Sequence, residues 1–322
     1  MRRLHLAAAL LWAGMLAPQA VQAQAYPDRP LTLVVPYAPG GNIDLTARAL
    51  ARPLGLALGQ PVMVDNRPGA GGMLGSAYTA HAAPDGYNLL LGSSASVTTA
   101  PAVYRNVPFD PIKNLTALGS IQSVVLVLTT PVQVPVKTYA DLVAYSQGRS
   151  LNIGTSGVGS LQHLAVELMV RQSRLRAVAV AYKGSNPALT DLLGGQIDGM
   201  TDQLSTSLPY IRDGRIRAVA QLGRARSPLL PEVATLAEQG VPNFEAVTFT
   251  GLFAPANLPR PVEAKLTEAL ARALADPDLR KTFKEMGAEM MEMSQPQFAR
   301  FVAADLDKWK AIGREAKIVI DN

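Results

Sequence analysis

The sequence predicts an α/β protein of two lobes, each a mostly parallel β-sheet flanked by helices, with a cleft between the lobes. The first observation is that short runs of β-branched and aliphatic residues alternate with segments of helical periodicity. The second is that this alternation forms two consecutive sets that no flexible linker separates. The third is size, because 322 residues, 48% of them hydrophobic, are enough to bury two cores.

The first set begins with a strand at 31–35, which ends at Pro36 and the turn residues Pro39-Gly40-Gly41. The following residues have helical spacing, with one apolar face made by Ile43, Ala47, Leu50, Ala51 and Leu54. We then expect a strand at 61–64, a helix at 72–83 and a strand at 87–91. Strand–helix–strand order of this kind predicts parallel pairing of the strands.

The second set repeats the pattern, with strands predicted at 124–128, 151–153, 177–181, 196–200 and 216–222. Helices are predicted at 139–146, after Ser160 and from Asn186. Ser160 is placed to cap its helix, and Pro187 occupies a first-turn position that suits proline. Gly194-Gly195 ends the third helix.

The C-terminal part predicts a strand at 247–253, a helix from Pro261 and a last helix from about Ser294, where Gln297 completes a capping box. The last helix has an apolar stripe made by Phe298, Phe301, Val302, Leu306 and Trp309. Four methionines precede the last helix: Met286, Met290, Met291 and Met293. We expect them to fill a helix interface rather than to bind a soft metal.

The first 25 residues predict a secretory signal peptide. Arg2 and Arg3 precede an apolar run that ends near Pro18, and small residues follow at cleavage spacing. About 15 apolar residues are too few to span a bilayer. We expect cleavage after Ala25, with Ala23 as the alternative, and a mature chain that is soluble in the periplasm of a Gram-negative cell.

Composition excludes several classes of protein. The chain has no cysteine, so a disulfide framework, a cysteine-ligated metal, a cysteine nucleophile and a lipoprotein anchor are ruled out. Loss of Arg2 and Arg3 with the signal peptide lowers the formal charge from +5 to +3. That charge, without a basic stripe, does not predict nucleic-acid binding.

Three loops could form a site: 36–44, 93–96 and 154–160. Each follows a predicted strand, and ligands of open α/β sheets bind at the carboxyl ends of the strands. Glycine-rich loops at helix N-termini present N–H donors and a partial positive charge, and serine hydroxyls add donors. This pattern predicts a carboxylate held by neutral donors from two sides of a cleft.

The sequence matches known catalytic and dinucleotide-binding motifs only incompletely. Gly154-Thr155-Ser156-Gly157-Val158 fails the nucleophile-elbow pattern at its last position. The stretch 69–75 resembles a dinucleotide loop with its final glycine one residue late, and no acidic residue follows at the needed spacing. His163 has no evident nucleophile partner, so we interpret it as a buried or capping histidine.

At these residues the sequence resembles the periplasmic solute receptors of tripartite tricarboxylate transporters, the Bug receptors. The shared motifs span nearly the whole mature chain: Tyr26-Pro27-x-Arg29-Pro30, Val34-Val35-Pro36-Tyr37-x-Pro39-Gly40-Gly41-x-x-Asp44, Asn66-Arg67-Pro68-Gly69-Ala70-Gly71-Gly72-x-x-Gly75, Ala83-Pro84-Asp85-Gly86-Tyr87, Gly157-x-Gly159-Ser160-x-x-His163-Leu164-Ala165-x-Glu167, Tyr182-Lys183-Gly184, Asp191-Leu192-Leu193-Gly194-Gly195-Gln196-Ile197-Asp198 and Pro209-x-Ile211-Arg212-x-Gly214-x-Ile216-Arg217.

The resemblance implies a two-lobed periplasmic binding protein of type II-like architecture, whose chain crosses twice between lobes, near Gln122 and Val247. Lobe 1 would comprise 26–122 and 248–322, and lobe 2 would comprise 123–247. It also implies that the loop from Tyr37 to Asp44 holds a ligand carboxylate. The ligand-binding residues expected on this basis are Tyr37, Pro39, Gly40, Gly41, Asn42, Ile43, Asp44, Ser94, Ala95, Ser156, Gly157, Ser160, Tyr182 and Asp202.

Two departures from the family pattern, Thr248-Phe249 and 200–203, bear on the hinge or the distal pocket, so the identity of the acid is not carried over. We expect a monomeric, non-catalytic receptor without cofactor or metal, which delivers a small carboxylate to membrane transporter subunits. One alternative is an exported α/β hydrolase that uses Ser156 or Ser160 with His163. Another is a sensor whose bound form contacts a signalling protein.

Overall fold

The computed structural model describes residues 26–315 and 318–321, so the predicted signal peptide lies outside the described residues. The strands are β1 (Leu31–Val35), β2 (Val62–Asn66), β3 (Asn88–Ser93), β4 (Leu115–Pro131), β5 (Leu151–Thr155), β6 (Ala177–Ala181), β7 (Gly199–Gln203), β8 (Ile216–Gln221), β9 (Val247–Pro255) and β10 (Ala288–Met290). The α-helices are α1 (Asn42–Leu58), α2 (Met73–Ala80), α3 (Ala100–Val103), α4 (Tyr139–Tyr145), α5 (Leu161–Gln172), α6 (Ser185–Leu193), α7 (Leu204–Arg212), α8 (Arg260–Leu274), α9 (Pro277–Glu285) and α10 (Gln295–Glu315). A π-helix covers Ser94–Thr99, and 3-10 turns cover Ala70–Gly72 and Ser146–Gly148.

The strands pair in the order β2-β1-β3-β9-β4-β7-β5-β6, with β10 and β8 also on β4. The pairs of β1 with β2 and β3 are parallel, as are those of β5 with β6 and β7. We call the half around β1, β2 and β3 the first lobe and the half around β5, β6 and β7 the second lobe. The predicted two-lobed α/β fold is confirmed, although antiparallel strands lie between its two parallel groups.

The long strand β4 belongs to both lobes. Its residues Leu115 to Val125 pair with β9, and from Leu126 onward it pairs with β7 and β8. The sequence predicted only 124–128 as strand, because bulges between Ala117 and Gln122 interrupt the alternation of apolar residues. The lobe boundaries proposed near Gln122 and Val247 stay a prediction.

The hydrophobic clusters extend across both lobes, and α10 contributes to two of them. Phe298 packs edge-on against Phe249 in the first lobe, with Val302 in the same cluster. Trp309, further along α10, is buried in the cluster that contains Leu126 and Val219 of the second lobe. The last helix therefore shares clusters with residues of both lobes, and the assignment of the C-terminal helices to lobe 1 stays a prediction.

Several elements differ from the sequence-based expectation. The strand predicted at 196–200 lies at Gly199–Gln203, and the π-helix, α7, α9 and β10 were not predicted. Gln297 accepts hydrogen bonds from the N–H and hydroxyl of Ser294, which is half of the predicted capping box. Met290 lies in β10, so the methionines pack at a sheet edge rather than only between helices.

Candidate functional site

A chamber lies between the lobes at the carboxyl ends of β1, β3, β5 and β7. It encloses about 470 Å³ of empty space, part of it open to solvent. We call it the inner chamber, and its lining residues are Tyr37, Ala38, Pro39, Gly41, Asn42, Ile43, Ser93, Ser94, Ala95, Ser156, Gln162, Gly184, Ser185, Asn186, Gln203 and Thr248. None of these residues carries a formal charge at neutral pH.

Three helices begin at the inner chamber without a side-chain cap. The residues before their first turns are Gly41 for α1, Gly184 for α6 and Gln203 for α7, and none of their side chains bonds a helix N–H. By contrast, Ser160 caps α5 by accepting from the N–H of His163. The positive ends of three helix dipoles therefore meet at the chamber with backbone donors that side chains leave free.

Two buried side-chain donors in the same wall also lack a partner. Asn42 is 1% exposed and Ser94 2%, and neither Asn42 Nδ2 nor Ser94 Oγ has a hydrogen bond among the described residues. The Oδ1 atom of Asn42 is held by the hydroxyl of Ser205 at 2.7 Å, which fixes the orientation of the amide. A buried unpaired donor is unfavourable unless a ligand or water satisfies it.

Asp44 organises the loop of the first lobe without lining the inner chamber. Its carboxylate accepts from the N–H of Gly40, Nε of Arg48 and Nδ2 of Asn66, each at 2.9 Å. Burial alone would raise the pKa of Asp44, but the hydrogen bonds from Arg48, Gly40 and Asn66 hold it below its ordinary value. Asn66 also donates to the carbonyl of Tyr37 at 3.1 Å, so the ends of the loop are tied together.

Asp202 has a similar role in the second lobe. It is fully buried and accepts hydrogen bonds from Ser185 at 2.6 Å, Ser207 at 2.9 Å and Thr206. Burial raises the pKa of Asp202, and these hydroxyl donors offset only part of the effect. The carboxylate joins the start of α6 to the first turns of α7, behind the wall of the inner chamber.

A second space, the outer chamber, adjoins the first and shares Tyr37, Ser156 and Gly184 with it. Gly157 and Tyr182 line this outer chamber rather than the inner one. The hydroxyl of Tyr182 donates to Asp191 at 2.7 Å, and burial with that hydrogen bond raises the pKa of Tyr182 to about 12. Its phenol is therefore neutral at physiological pH.

The hydroxyl of Ser160 and the ring of His163 do not form a catalytic pair. Ser160 donates to the carbonyl of Gly157 at 2.7 Å, while Nδ1 of His163 accepts from the N–H of Gly159 at 3.1 Å. Burial lowers the pKa of His163, so its imidazole is a neutral structural group. Among the described residues, no hydrogen bond joins Ser156 to His163, and no group of acidic or histidine side chains could hold a metal ion.

The structure brings together eight of the fourteen residues expected to bind ligand. Those that line the inner chamber are Tyr37, Pro39, Gly41, Asn42, Ile43, Ser94, Ala95 and Ser156. Gly40, Asp44, Ser160 and Asp202 support the walls, and Gly157 and Tyr182 line the outer chamber. The other lining residues are not among the fourteen, although two of them, Ala38 and Ser93, lie in the loops 36–44 and 93–96 that the sequence indicated. They are Ala38, Ser93, Gln162, Gly184, Ser185, Asn186, Gln203 and Thr248.

The lobes touch at both sides of the cleft. Nδ2 of Asn186 donates to the carbonyl of Pro39 at 3.3 Å. The hydroxyl of Thr99 donates to the carbonyl of Gly159 at 3.0 Å. Closing contacts of this kind limit the size of the inner chamber and shield it from solvent.

The sequence profile described as tripartite tricarboxylate transporter family receptor, TctC, matches residues 46–318. The chain belongs to this family. Among solved structures, the periplasmic binding protein BugD is 32% identical with a TM-score of 0.88, covering 92% of this chain and 100% of BugD. MatC from Rhodopseudomonas palustris with bound malate is 32% identical, with a TM-score of 0.85 over 89% of this chain and 99% of MatC. A second R. palustris protein, solved with adipate, is 33% identical, with a TM-score of 0.87 over 92% of this chain and all of that protein.

The family consists of receptors that bind solutes. Within residues 26–315 and 318–321, no helix is both long and apolar enough to cross a membrane.

Proposed function

We propose that this chain is a periplasmic receptor that captures a small carboxylate in the inner chamber and delivers it to the membrane subunits of a tripartite tricarboxylate transporter. The observation that carries the proposal is the meeting of three uncapped helix N-termini with two unpaired buried donors, Asn42 Nδ2 and Ser94 Oγ. A carboxylate accepts hydrogen bonds without donating any and is stabilised by the positive ends of helix dipoles.

The solved relatives support the class of ligand. Malate and adipate, which two of them hold, are both dicarboxylates. A chamber without lysine or arginine in its lining suits a carboxylate held by many neutral donors, because burying a paired charge has a large desolvation penalty. We therefore expect a small organic acid rather than a phosphate ester or a sugar.

A binding screen tests the proposal. Protein that has been unfolded and refolded to remove any ligand is titrated calorimetrically with mono-, di- and tricarboxylates, acidic amino acids, neutral amides and sugars. We expect binding by at least one class of acid and none by the neutral analogues. A ligand at 100 times its dissociation constant should stabilise the fold by about 2.7 kcal/mol. Absence of binding by every acid would overturn the proposal.

A matched pair of variants tests the position of the site. Ser94 and Ser76 are both buried, and both hydroxyls lack a partner, but only Ser94 lines the inner chamber. We expect Ser94→Ala to weaken binding of the best acid by about tenfold, because a hydrogen bond to a charged group contributes about 1.5 kcal/mol. Ser76→Ala should leave the affinity within about twofold of the wild type.

Delivery to a membrane transporter requires a separate test. The receptor and its cognate membrane subunits are expressed in a strain that lacks uptake of the identified acid. Uptake should require both the receptor and the membrane subunits. Ligand binding without uptake, together with capture of a signalling protein by the bound form, would favour the sensor instead.

Export is tested by the mass of the mature chain recovered from the periplasmic fraction. We expect a chain that begins at Tyr26, or at Gln24 if cleavage follows Ala23. An uncleaved chain in the cytoplasm would contradict the periplasmic location.

A further inference from the structure

We infer that the cleft has a second binding compartment, the outer chamber, which holds the distal part of an elongated acid. In this arrangement an apolar spacer lies against Leu74 and Val158, and a second anionic group pairs with Lys183. The inference rests on the proposed function, because the first carboxylate of the same ligand occupies the inner chamber. The proposed ligand is therefore an elongated acid with a second negative charge at its far end.

The two chambers adjoin. Tyr37, Ser156 and Gly184 belong to the walls of both, so a ligand that extends from the inner chamber past these residues would reach the outer one. The outer chamber is the larger, with about 1,020 Å³ of empty space that includes open solvent. In the proposed arrangement the first carboxylate lies in the inner chamber, and a longer acid extends into the outer one.

Apolar side chains from opposite lobes line the outer chamber. Leu74 of α2 is 57% exposed and Val158 of the second lobe is 36% exposed, although both are large hydrophobic residues. The 3-10 turn Ala70–Gly72 lies close to the second lobe, because a Cβ on Gly71 would lie 2.8 Å from the carbonyl oxygen of Val158. Covering this exposed apolar surface with an apolar part of the ligand is favourable, because it removes the surface from water.

Lys183 is the one charged residue in the described lining of either chamber. Its side chain is exposed, and no hydrogen bond or ion pair to another described residue is present. No acidic residue lines the chambers, so the positive charge is uncompensated at this surface. An anionic group at the far end of the ligand would complete the pair.

The test compares acids that differ in one end only. Wild type is titrated with linear α,ω-dicarboxylates of four to ten carbons and with monocarboxylates of the same lengths, for example adipate and hexanoate. Above a threshold length, we expect each dicarboxylate to bind more tightly than its monocarboxylate partner. Lys183→Met should lower the affinity for those dicarboxylates by about fivefold and change that for the monocarboxylates by less than about twofold.

Lys265→Met is the matched control, because Lys265 is an exposed lysine on α8 that lines neither chamber. It should change no affinity. Equal effects of Lys183→Met on both ligand series at every length would overturn the compartment while leaving the carboxylate receptor intact. Failure of wild type to bind any acid would instead overturn the proposed function, so the two failures are distinguishable.

A second variant tests the apolar wall. Leu74→Asn places a polar group where the spacer is expected to lie, and Leu74 is exposed enough for the fold to tolerate it. The affinity for long monocarboxylates and dicarboxylates should fall by about fivefold, with little change for malate. An equal loss for malate would show that Leu74 acts on closure of the lobes rather than on the spacer, and would contradict this role.

Discussion

Asp44 is the residue that ties the loop of the first lobe to its helix. Its pKa is lowered, so its contribution to stability is complete above the ordinary value of 3.8 and is lost as the pH falls toward the lower folded value. We predict that Asp44→Asn destabilises the fold by about 2 kcal/mol at pH 7, because charged hydrogen bonds to Gly40 and Arg48 are lost. Urea unfolding from pH 3 to pH 7 measures this. A constant difference between wild type and variant over that range would contradict it.

Asp202 should show the opposite dependence on pH. Its pKa is raised by burial, so the folded state binds more protons than the unfolded state as the pH rises from 3.8 to the raised value. Wild type therefore loses stability over that interval, whereas Asp202→Asn does not titrate. We predict that the stability of wild type relative to this variant falls as the pH rises. A relative stability that rises with pH in the same unfolding experiments would show that the hydroxyl donors outweigh burial.

The site residues that the sequence indicated are those in loops with an evident local pattern. Asn42 and Ser94 follow strands and begin helical segments, so their types and positions are readable from the chain. Gln203 and Thr248 lie within strands, and only the pairing of β4 with β7 and β9 brings them to the cleft. Their placement depends on register between distant segments, which local pattern does not contain.

Among the secondary-structure elements, the π-helix Ser94–Thr99 both lines the cleft and bonds residues of the two lobes. Ser94 lines the inner chamber, Thr98 donates to Asp305 of α10 at 2.6 Å, and Thr99 donates to Gly159 of the second lobe. π-Helical turns are rare and frequent at functional sites. The run SSASVTT has no periodic large apolar residues, so the sequence did not predict a helix there.

Thr99→Val tests whether this element stabilises the closed arrangement. The substitution keeps the shape of the side chain and removes the hydroxyl that reaches Gly159, which contributes about 1 kcal/mol. We predict about fivefold weaker binding of the best acid, with the loss in the dissociation rate. Thr79→Val is the control, because the hydroxyl of Thr79 bonds only Gly75 of its own helix. Similar losses in both variants would show a general packing effect.

For the whole molecule, the sequence predicted two lobes because each set of strands and helices has its own apolar periodicity. It did not predict how α10 joins them, since the stripe from Phe298 to Trp309 is continuous in sequence although its ends pack in different cores. A helix that contacts both lobes limits the directions in which they can separate. Opening is then expected to pivot about β4, β9 and α10.

Gly40 lies where the closed lobes meet, and this contact gives a test of closure. Its φ is +85°, and a Cβ on it would lie 2.3 Å from Nδ2 of Asn186 across the cleft. Gly59, which follows α1 and lines neither chamber, also has a positive φ of +75°, but a Cβ there would have no neighbour within 4 Å. We predict that Gly40→Ala weakens ligand binding by more than tenfold and that Gly59→Ala changes it by less than about threefold.

Small-angle scattering distinguishes contact between the lobes from backbone strain as the cause of the weaker binding. Wild type and Gly59→Ala should become more compact when the best acid is added, whereas Gly40→Ala should keep the larger radius of gyration. Adding Asn186→Ala to Gly40→Ala removes the atom that the new methyl group meets, so compaction should return even though the strain at positive φ remains. If the double variant stays open, strain in the loop rather than contact between the lobes controls closure. Because ligand binding and closure are linked equilibria, the double variant should also regain affinity in proportion to the closed population that it recovers.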